Sequence, residues 1–180
     1  VHWLVMLLGD TVVEGEVLGV RAGRNSRGHR FLHDKPVWVN APGDYVDALR
    51  GAKVLVDADE RRATVVREVE QAAAKAGGTA RIAEDNLEQV NCLVEWPSAL
   101  AGGFEARFLE LPREVLISTL QHHQRYFPVE SGGGKLLAHF ITVANIESGR
   151  LSNVSALLAP AEPMNKHRSK SKYDESAFCA

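Results

Sequence analysis

The sequence predicts a fold of the α+β class, with mixed sheets flanked by helices. Stretches rich in strand-forming residues, each with a hairpin turn, lie near the beginning of the chain and near residue 130, and helical patterns lie between them. Strands and helices do not alternate strictly, which argues against a doubly wound sheet. With 180 residues, 45% of them hydrophobic, the chain can bury a sizeable core.

The first third of the chain is predicted to be built from short strands. Two β-rich runs flank Gly9-Asp10, a pair that suits a tight hairpin turn. A glycine-rich basic loop, residues 21–30, follows. Short strands are then expected at "PVWVN" and "KVLVD", with a short helix between them. Asp44 is a candidate cap for that helix and Gly51 a candidate end.

The middle of the chain carries the clearest helical patterns. One helix is expected to begin after Asp57, a good N-cap with Glu60 three residues on, and to end at Gly77-Gly78. The segment "ARIA" is expected to be a brief strand. A second helix is predicted over "EDNLEQVNCLVEW". The buried stripe of this second helix is expected to contain Leu87, Val90 and Val94.

The last predicted elements are a loop, a helix and a hairpin. The segment "ALAGGFEARFLELP" is expected to be a loop with strand-like pieces, and Pro112 is expected at the first position of a third helix. The predicted inner face of that helix contains Val115, Leu116, Thr119 and Leu120. A hairpin over the turn "SGGG" is expected to close the fold.

We expect the α+β domain to span residues 1–148. Val1 begins inside a strand-like run, which suggests a piece of a longer protein. Residues 149–180 have few large apolar side chains, no clear period and a cluster of Lys, Arg and Ser. We therefore expect a tail that is foreign to the domain, from vector sequence or an out-of-frame end. A native flexible C-terminus is the alternative.

Charge and cysteine content narrow the function classes. The net charge is −2, so nucleic-acid binding would have to come from a local patch. Two cysteines, Cys92 and Cys179, do not make a disulfide framework, so a reducing, cytoplasmic location is expected. Cys92 lies in a helical pattern and is expected to be a buried thiol. The apolar run Trp3 to Leu8 is far shorter than the roughly 20 residues that span a bilayer.

The sequence offers no motif for metal binding, nucleophilic catalysis or ATP binding. His122 and His123 are adjacent, so on a helix they would point about 100° apart and could not hold one ion together. No G-x-S-x-G elbow or triad spacing is present. The segment Ser131–Lys135 lacks P-loop spacing, and Leu136 stands where a Ser or Thr would meet magnesium. We therefore predict no catalytic residue and no bound cofactor in this chain.

The strongest signal for binding is the stretch "RAGRNSRGHRF". It places arginine at every third position, with His29 before the last one and without any acid: Arg21, Arg24, Arg27 and Arg30. Arginine forks match phosphate oxygens, and glycines let backbone N–H groups approach a ligand. The stretch is therefore a candidate phosphate or RNA contact, and a solvated surface loop is the alternative.

A second basic and polar cluster lies in "QHHQRYF". Gln121, His123, Gln124 and Arg125 offer donors there, and Tyr126 and Phe127 offer a possible stacking face for bases. The alternative is that both aromatic rings belong to the core.

Four blocks of sequence carry a family resemblance: "NSRGHRF", "LVEWPSAL", "FLELPREVLISTLQHHQRYFPV" and "FITVANIES". In this order they resemble the β-subunit of bacterial glycyl-tRNA synthetase, from about Val1 to Ser148. The resemblance implies a fold like the editing-type domain in the β-chain of phenylalanyl-tRNA synthetase. It also implies an α2β2 enzyme that joins glycine to its tRNA. The α-subunit would hold ATP and magnesium, and the β-subunit would supply most tRNA contacts.

The resemblance also implies which residues to consider for tRNA binding. The "RGHRF", "EWP", "LPRE" and "HQ-YFPV" motifs of the family match this chain, although Arg125 replaces a usual lysine. His122 stands where the family often has a small or acidic residue, so His123 is the stronger candidate. Arg24 lies before the matching motif and is a candidate from the basic stretch alone. With it, the candidate tRNA-binding residues are Arg24, Arg27, His29, Arg30, Arg113, His123 and Arg125.

Two other roles for the domain stay open from sequence. In a hydrolytic editing domain, Glu95, His29 or His123 would orient a water onto the ester of a mischarged tRNA. In a purely structural domain, Trp96 and Phe31 would be buried and His29 would donate to a backbone carbonyl. The arginines of the basic stretch would then pair with carboxylates, for which the candidates are Glu14, Glu16 and Asp34.

Overall fold

The computed structural model describes residues 1–146, and the predicted tail at 149–180 lies outside this range. Several small sheets and four α-helices make up the described part, which confirms the α+β class. Among these residues, no helix is both long enough and apolar enough to cross a bilayer.

The first 40 residues form seven short strands. They are β1 (Leu4–Val5), β2 (Leu7–Leu8), β3 (Thr11–Val12), β4 (Glu16–Val17), β5 (Val20–Gly23), β6 (Asn25–Arg27) and β7 (Pro36–Trp38). The predicted hairpin at Gly9-Asp10 is confirmed, because β2 and β3 pair antiparallel across this turn. β5 lies between β1, which runs parallel to it, and β4, which runs antiparallel. β6 and β7 form a separate antiparallel pair.

Four α-helices follow: α1 (Tyr45–Gly51), α2 (Ala58–Lys75), α3 (Glu84–Leu93) and α4 (Arg113–Ser118). Asp57 caps α2 as predicted, since its carboxylate accepts the backbone N–H groups of Asp59 and Glu60, both at 2.9 Å. Both bonds favour the charged carboxylate, and they lower the pKa of Asp57. Asp44 precedes α1 but makes no capping bond with its side chain.

The predicted strand "KVLVD" is wrong. The chain turns at Lys53, which has a φ of 63°, and the following residues do not join a sheet. Leu55 instead donates its N–H to the carbonyl of Glu95 at 2.9 Å. A single bond to a loop does not make a ladder, so local β-propensity is overruled by the tertiary neighbour.

The main sheet has four antiparallel strands in the order β8-β10-β11-β9. The strands are β8 (Thr79–Ala80), β9 (Ser98–Gly103), β10 (Phe127–Glu130) and β11 (Leu136–Ala144). The closing hairpin of β10 and β11 is confirmed. The loop predicted from residue 99 is partly wrong, because β9 pairs with β11 from Ser98 opposite Ala144 to Gly103 opposite His139. Its Ala and Gly residues have weak β-propensity, so this long-range pairing determines the strand.

The main core lies between this sheet and helices α2 and α3. It contains Val65, Val69, Ala73, Leu87, Val90, Val94, Phe127, Val129 and Ile141. The predicted stripe of Leu87, Val90 and Val94 is therefore buried, although α3 ends at Leu93, three residues before the predicted end, and Val94 is extended. Cys92, however, is exposed, and the prediction of a buried thiol is wrong. It lies two residues from Val90, about 200° around the helix.

The predicted inner face of the third helix is only half right. Leu116 and Leu120 are partly buried, whereas Val115 and Thr119 are exposed. The helix ends after six residues and continues as a π-helical turn, Thr119–His123, so regular α-helical spacing is lost. Pro112 takes the N-cap position, one residue before the predicted one.

Candidate nucleic-acid interface

The motif "RGHRF" lies in the loop of a β-hairpin. β6 ends at Arg27 and β7 begins at Pro36, so the motif and the residues after it connect the two strands. We call residues 24–38 the arginine hairpin. Ser26 and Val37, which lie opposite each other, are buried. The other face of the pair is exposed and contains Asn25, Arg27, Pro36 and Trp38. One face therefore packs on the protein and the other is open to a partner.

Gly28 brings the hairpin loop against the end of α1. A Cβ at this position would lie 2.7 Å from the Cβ of Ala52 and 2.8 Å from the Ala52 carbonyl oxygen. These separations are well below an ordinary contact, so a side chain does not fit. The same carbonyl accepts the N–H of His29 at 2.9 Å. The glycine thus permits the hydrogen bond that anchors the loop.

His29 is buried under the loop that it shapes. Its Nδ1 accepts the N–H groups of Phe31 at 3.1 Å and Leu32 at 3.2 Å, and its side chain is 0% exposed. A nitrogen that accepts two N–H groups carries no proton, so the ring can carry a proton only on Nε2. Nε2 is buried without a hydrogen-bond partner among the described residues. The expectation that His29 donates to a backbone carbonyl is wrong, because the ring accepts instead.

The loop arginines have no carboxylate partner among the described residues. Arg27 and Arg30 are exposed, and neither forms an ion pair within residues 1–146. The guanidinium of Arg30 lies 5.6 Å from the ring centre of Phe31, which is 60% exposed. Of the pairings expected for a purely structural loop, only Arg21 with Glu16 occurs, at 3.7 Å. Phe31 is likewise exposed rather than buried.

Arg24 lies over an exposed tryptophan that the sequence analysis did not select. Its guanidinium donates to the carbonyls of Asp10 at 2.6 Å and Asn40 at 3.2 Å, and its carbon lies 5.3 Å from the ring centre of Trp38. Trp38 is 58% exposed. The signal was present in "PVWVN", where alternation with two valines places the tryptophan on the opposite face.

Arg113 lies outside the arginine hairpin and is neutralised by its own protein. It donates to the carboxylate of Glu130 at 2.6 Å, and Arg81 approaches the same carboxylate at 3.8 Å. Two arginines on one carboxylate leave one net positive charge near the start of α4. The predicted tRNA contact of Arg113 would therefore compete with an ion pair.

The second predicted cluster is divided between surface and core. His123 is exposed at the end of the π-helical turn, and Arg125 is partly buried with a φ of 58°. Tyr126 stacks on Phe140, with ring centres 4.5 Å apart and planes 10° from parallel. Phe127 is 0% exposed in the main core. The aromatic pair is therefore occupied within the fold and does not provide the predicted stacking face.

The three residues considered for editing occupy different surroundings. His29 is enclosed against the end of α1, whereas Glu95 follows α3 and is exposed, as is His123. Within residues 1–146 no hydrogen bond or ion pair joins them. A buried imidazole is also without access to solvent water. The geometry thus does not bring the three side chains into contact.

The "EWP" motif forms a corner where the residues after α3 contact the end of β11 and the turn that follows α1. Asn145, just after β11, accepts the N–H groups of Glu95 at 2.8 Å and Trp96 at 2.9 Å. The ammonium of Lys53 lies 4.6 Å from the ring centre of Trp96, which is partly buried. These contacts indicate that the motif helps to hold neighbouring segments of the fold together.

A second link is the ion pair between Arg50 in α1 and Glu60 in α2, at 2.6 Å. The hydrogen bond to Glu60 is the main reason why the pKa of Arg50 is raised above its usual value. The corner and this ion pair connect α1, and with it the arginine hairpin, to the helices that cover the main sheet.

Comparison with known proteins agrees with the sequence blocks. The family model for the glycyl-tRNA synthetase beta subunit matches residues 1–156, beyond the boundary expected at 148. A glycine–tRNA ligase beta subunit from Xanthomonas campestris pv. campestris (strain B100) is 57% identical over 155 residues. Those from Xylella fastidiosa (strain 9a5c) and Pseudomonas aeruginosa (strain LESB58) are 56% and 49% identical.

The alignments cover 86% of this chain for the first two relatives and 85% for the third. The chain spans 22% of the length of each of these relatives. A model match over most of the chain, with identities near one half, is sufficient to assign the family. The chain belongs to the glycyl-tRNA synthetase β-subunit family.

Proposed function

We propose that this chain is a tRNA-binding section of the β-subunit of glycine–tRNA ligase. The observation that carries the proposal is the arginine hairpin, whose loop arginines are exposed and without a carboxylate partner among the described residues. Relatives that are about half identical bear the name of a ligase whose substrate is tRNA. In this role Arg27 and Arg30 contact phosphates, and Gly28 and His29 hold the loop that presents them.

Local charge supports phosphate binding. The arginine hairpin contains three arginines and one lysine against a single acid, Asp34, although the whole chain has a net charge of −2. Guanidinium groups pair with phosphate oxygens in a fork, and they keep their charge at any physiological pH. His29 supports the proposal by shaping the loop rather than by contact. Arg113, His123 and Arg125 remain second-rank candidates.

The complete enzyme has further parts in this proposal. The name "beta subunit" in the relatives implies an α-subunit, and we propose that this partner holds ATP, magnesium and the aminoacylation site in an α2β2 assembly. The chain itself contains no P-loop spacing, which is consistent with an ATP site on the α-subunit. We also propose a cytoplasmic location and a fold like the editing-type domain of the phenylalanyl-tRNA synthetase β-chain.

The test uses the complete enzyme with the double substitution Arg27→Ala and Arg30→Ala. Affinity for tRNA should fall, and the slope of log affinity against log salt should decrease in size by roughly 2, because two phosphate contacts are lost. The KM for tRNA in glycine charging should rise accordingly. A filter-binding titration over a range of salt concentrations measures the slope.

The matched control removes the same charge from elsewhere in the domain, with Arg62→Ala and Arg107→Ala. Both arginines lie outside the basic stretch and are paired with glutamates, at 2.6 Å and 2.8 Å. This control should bind tRNA nearly as the parent does. If the hairpin variant binds and charges tRNA normally, or if the control loses as much affinity, the proposal is overturned.

A further inference from the structure

We infer that the arginine hairpin binds unpaired nucleotides, by stacking their bases on Trp38 and Phe31. The inference rests on the proposed function, and it adds the kind of RNA structure that this surface recognises. It also assigns a binding role to Trp38, which no sequence motif selected.

Both aromatic rings are exposed on the same hairpin as the loop arginines. Trp38 is 58% exposed and Phe31 is 60% exposed, although large aromatic side chains normally contribute most when they are buried. The opposite face of the hairpin is well packed, since Val37 is 7% exposed and clusters with Leu49 and Ala52, and Val39, just after the hairpin, is 0% exposed. The exposed rings are therefore not left over from a poorly packed segment.

Each ring is accompanied by a guanidinium group. Arg24 lies 5.3 Å from the centre of Trp38, and Arg30 lies 5.6 Å from the centre of Phe31. Arg24 is held by two backbone carbonyls rather than by a carboxylate, so its charge is not cancelled. A ring next to a cation presents a flat apolar surface to a base and a positive charge to the adjacent phosphate. This combination is typical of single-strand recognition.

The hairpin strands place Trp38 and Arg27 on one face, and Phe31 and Arg30 lie in the loop that connects the strands. Trp38 lies opposite Asn25, and Arg27, two residues along the same strand, shares that exposed face. The positions are rigid, because the strands are paired and the loop is anchored to Ala52. A rigid platform suits bases that are already unpaired. In a duplex the base faces are covered by stacking, so the rings would have nothing to bind.

Charge complementarity decides between RNA and a protein partner. An exposed tryptophan alone is equally suited to a protein interface. Here, however, four basic side chains and one acidic side chain lie within the hairpin, residues 24–38. A polyanion with exposed bases satisfies both the rings and the charges.

The experiment uses the complete enzyme and three variants at one position: Trp38→Ala, Trp38→Phe and Trp38→Leu. The probes are an unstructured oligouridine and a fully paired RNA duplex, with fluorescence anisotropy at low and high salt. Trp38→Ala should bind oligouridine between about 5-fold and 100-fold more weakly. Trp38→Phe, which keeps an aromatic ring, should stay within about threefold of the parent, whereas Trp38→Leu should resemble the alanine variant.

Salt dependence separates this inference from the proposed function. Loss of a stacked base should weaken binding by the same factor at both salt concentrations, whereas loss of phosphate contacts changes the slope. Leu93→Ala, which removes an exposed apolar side chain from α3 (68% exposed), is the control and should bind as the parent does. Duplex binding should not change in any Trp38 variant.

Three results would overturn the inference. The first is normal oligouridine binding by Trp38→Ala or Trp38→Leu. The second is an equal loss on the duplex. The third is a loss of subunit association with RNA binding unchanged, which would make the surface a protein interface. If any of these occurs while the Arg27→Ala and Arg30→Ala enzyme still loses tRNA affinity, the stacking inference fails and the proposed function stands.

Discussion

Replacing Gly28 by alanine should release the arginine hairpin from the end of α1. The added Cβ would lie 2.7 Å from the Ala52 Cβ and 2.8 Å from the Ala52 carbonyl oxygen, where an ordinary contact needs about 3.5 Å or more. His33, whose Cδ2 lies 2.7 Å away, can move, but the two Ala52 atoms belong to or adjoin the backbone. The loop must therefore shift by close to an ångström.

Two effects contribute to the expected loss of stability. Overpacking of this size costs about 1 to 3 kcal/mol. The hydrogen bond from His29 to Ala52, now 2.9 Å, is lost as well and contributes about 0.5 to 1.5 kcal/mol. The free energy of unfolding should fall by about 2 to 4 kcal/mol. With an m-value of about 2 kcal/mol/M, the urea midpoint should decrease by about 1 to 2 M.

The assay is urea denaturation followed by far-UV circular dichroism, together with amide hydrogen exchange at His29. Gly23→Ala is the matched control, because a Cβ at Gly23 meets nothing within 4 Å, and its midpoint should not fall. Release of the loop without global unfolding would appear as faster exchange at His29. An unchanged midpoint together with unchanged exchange in Gly28→Ala would refute the reasoning.

The remaining predictions concern the "EWP" corner and the cap of α2. Asn145→Ala should lower the free energy of unfolding by about 1 to 3 kcal/mol, because two backbone N–H groups lose their acceptor. Asn145→Asp, which keeps an acceptor oxygen, should lose less stability, and thermal melts of both variants measure the difference. The pKa of Asp57 is lowered first by the N–H of Glu60 and then by that of Asp59. Its contribution to stability is therefore present above the unfolded-state pKa of about 3.9 and is lost as pH falls through the lower folded-state value. Asp57→Asn should flatten the dependence of the melting temperature on pH in this acid range, and an unchanged acid dependence would contradict the assignment.

Local patterns in the sequence predicted most of the helices and two hairpins, the one at Gly9-Asp10 and the closing one of β10 and β11. The stripe of α3 follows from spacing, because a helix repeats every 3.6 residues whatever lies around it. The cap at Asp57 follows from the preference for an aspartate just before a helix. The strand predicted at "KVLVD" was wrong, and the loop with strand-like pieces predicted where β9 lies was partly wrong. In the first, Leu55 bonds to a loop, and in the second, pairing with β11 supplies the ladder that weak strand-formers need. Pairing over long distances in the sequence is not encoded in local propensity.

At the candidate site, too, local sequence predicted one part and tertiary contacts determined the rest. Charge and glycine content selected the stretch "RAGRNSRGHRF" from sequence, but Trp38 was not selected, although alternation within its strand indicates the exposed face. For Tyr126 and Phe127 the sequence left a stacking face and the core as alternatives, and the structure decides for the core, because Phe127 packs between the sheet and α2. An aromatic residue in a strand has two faces available to it, and only the packed neighbours decide which face is buried.

By itself the sequence determined the family, the α+β class and the basic character of residues 21–30, since these depend on residue identity and short-range order. The pairing of β6 with β7, which makes this predicted loop a hairpin, was decided by the folded chain. Only the tertiary structure decided which of the candidate binding residues are available to a partner. Gly28 closes against Ala52, His29 is buried beneath its own loop, and Arg113 is neutralised by Glu130. Solvent exposure and ion pairing depend on groups that are distant along the chain, so they are determined only when the chain has folded.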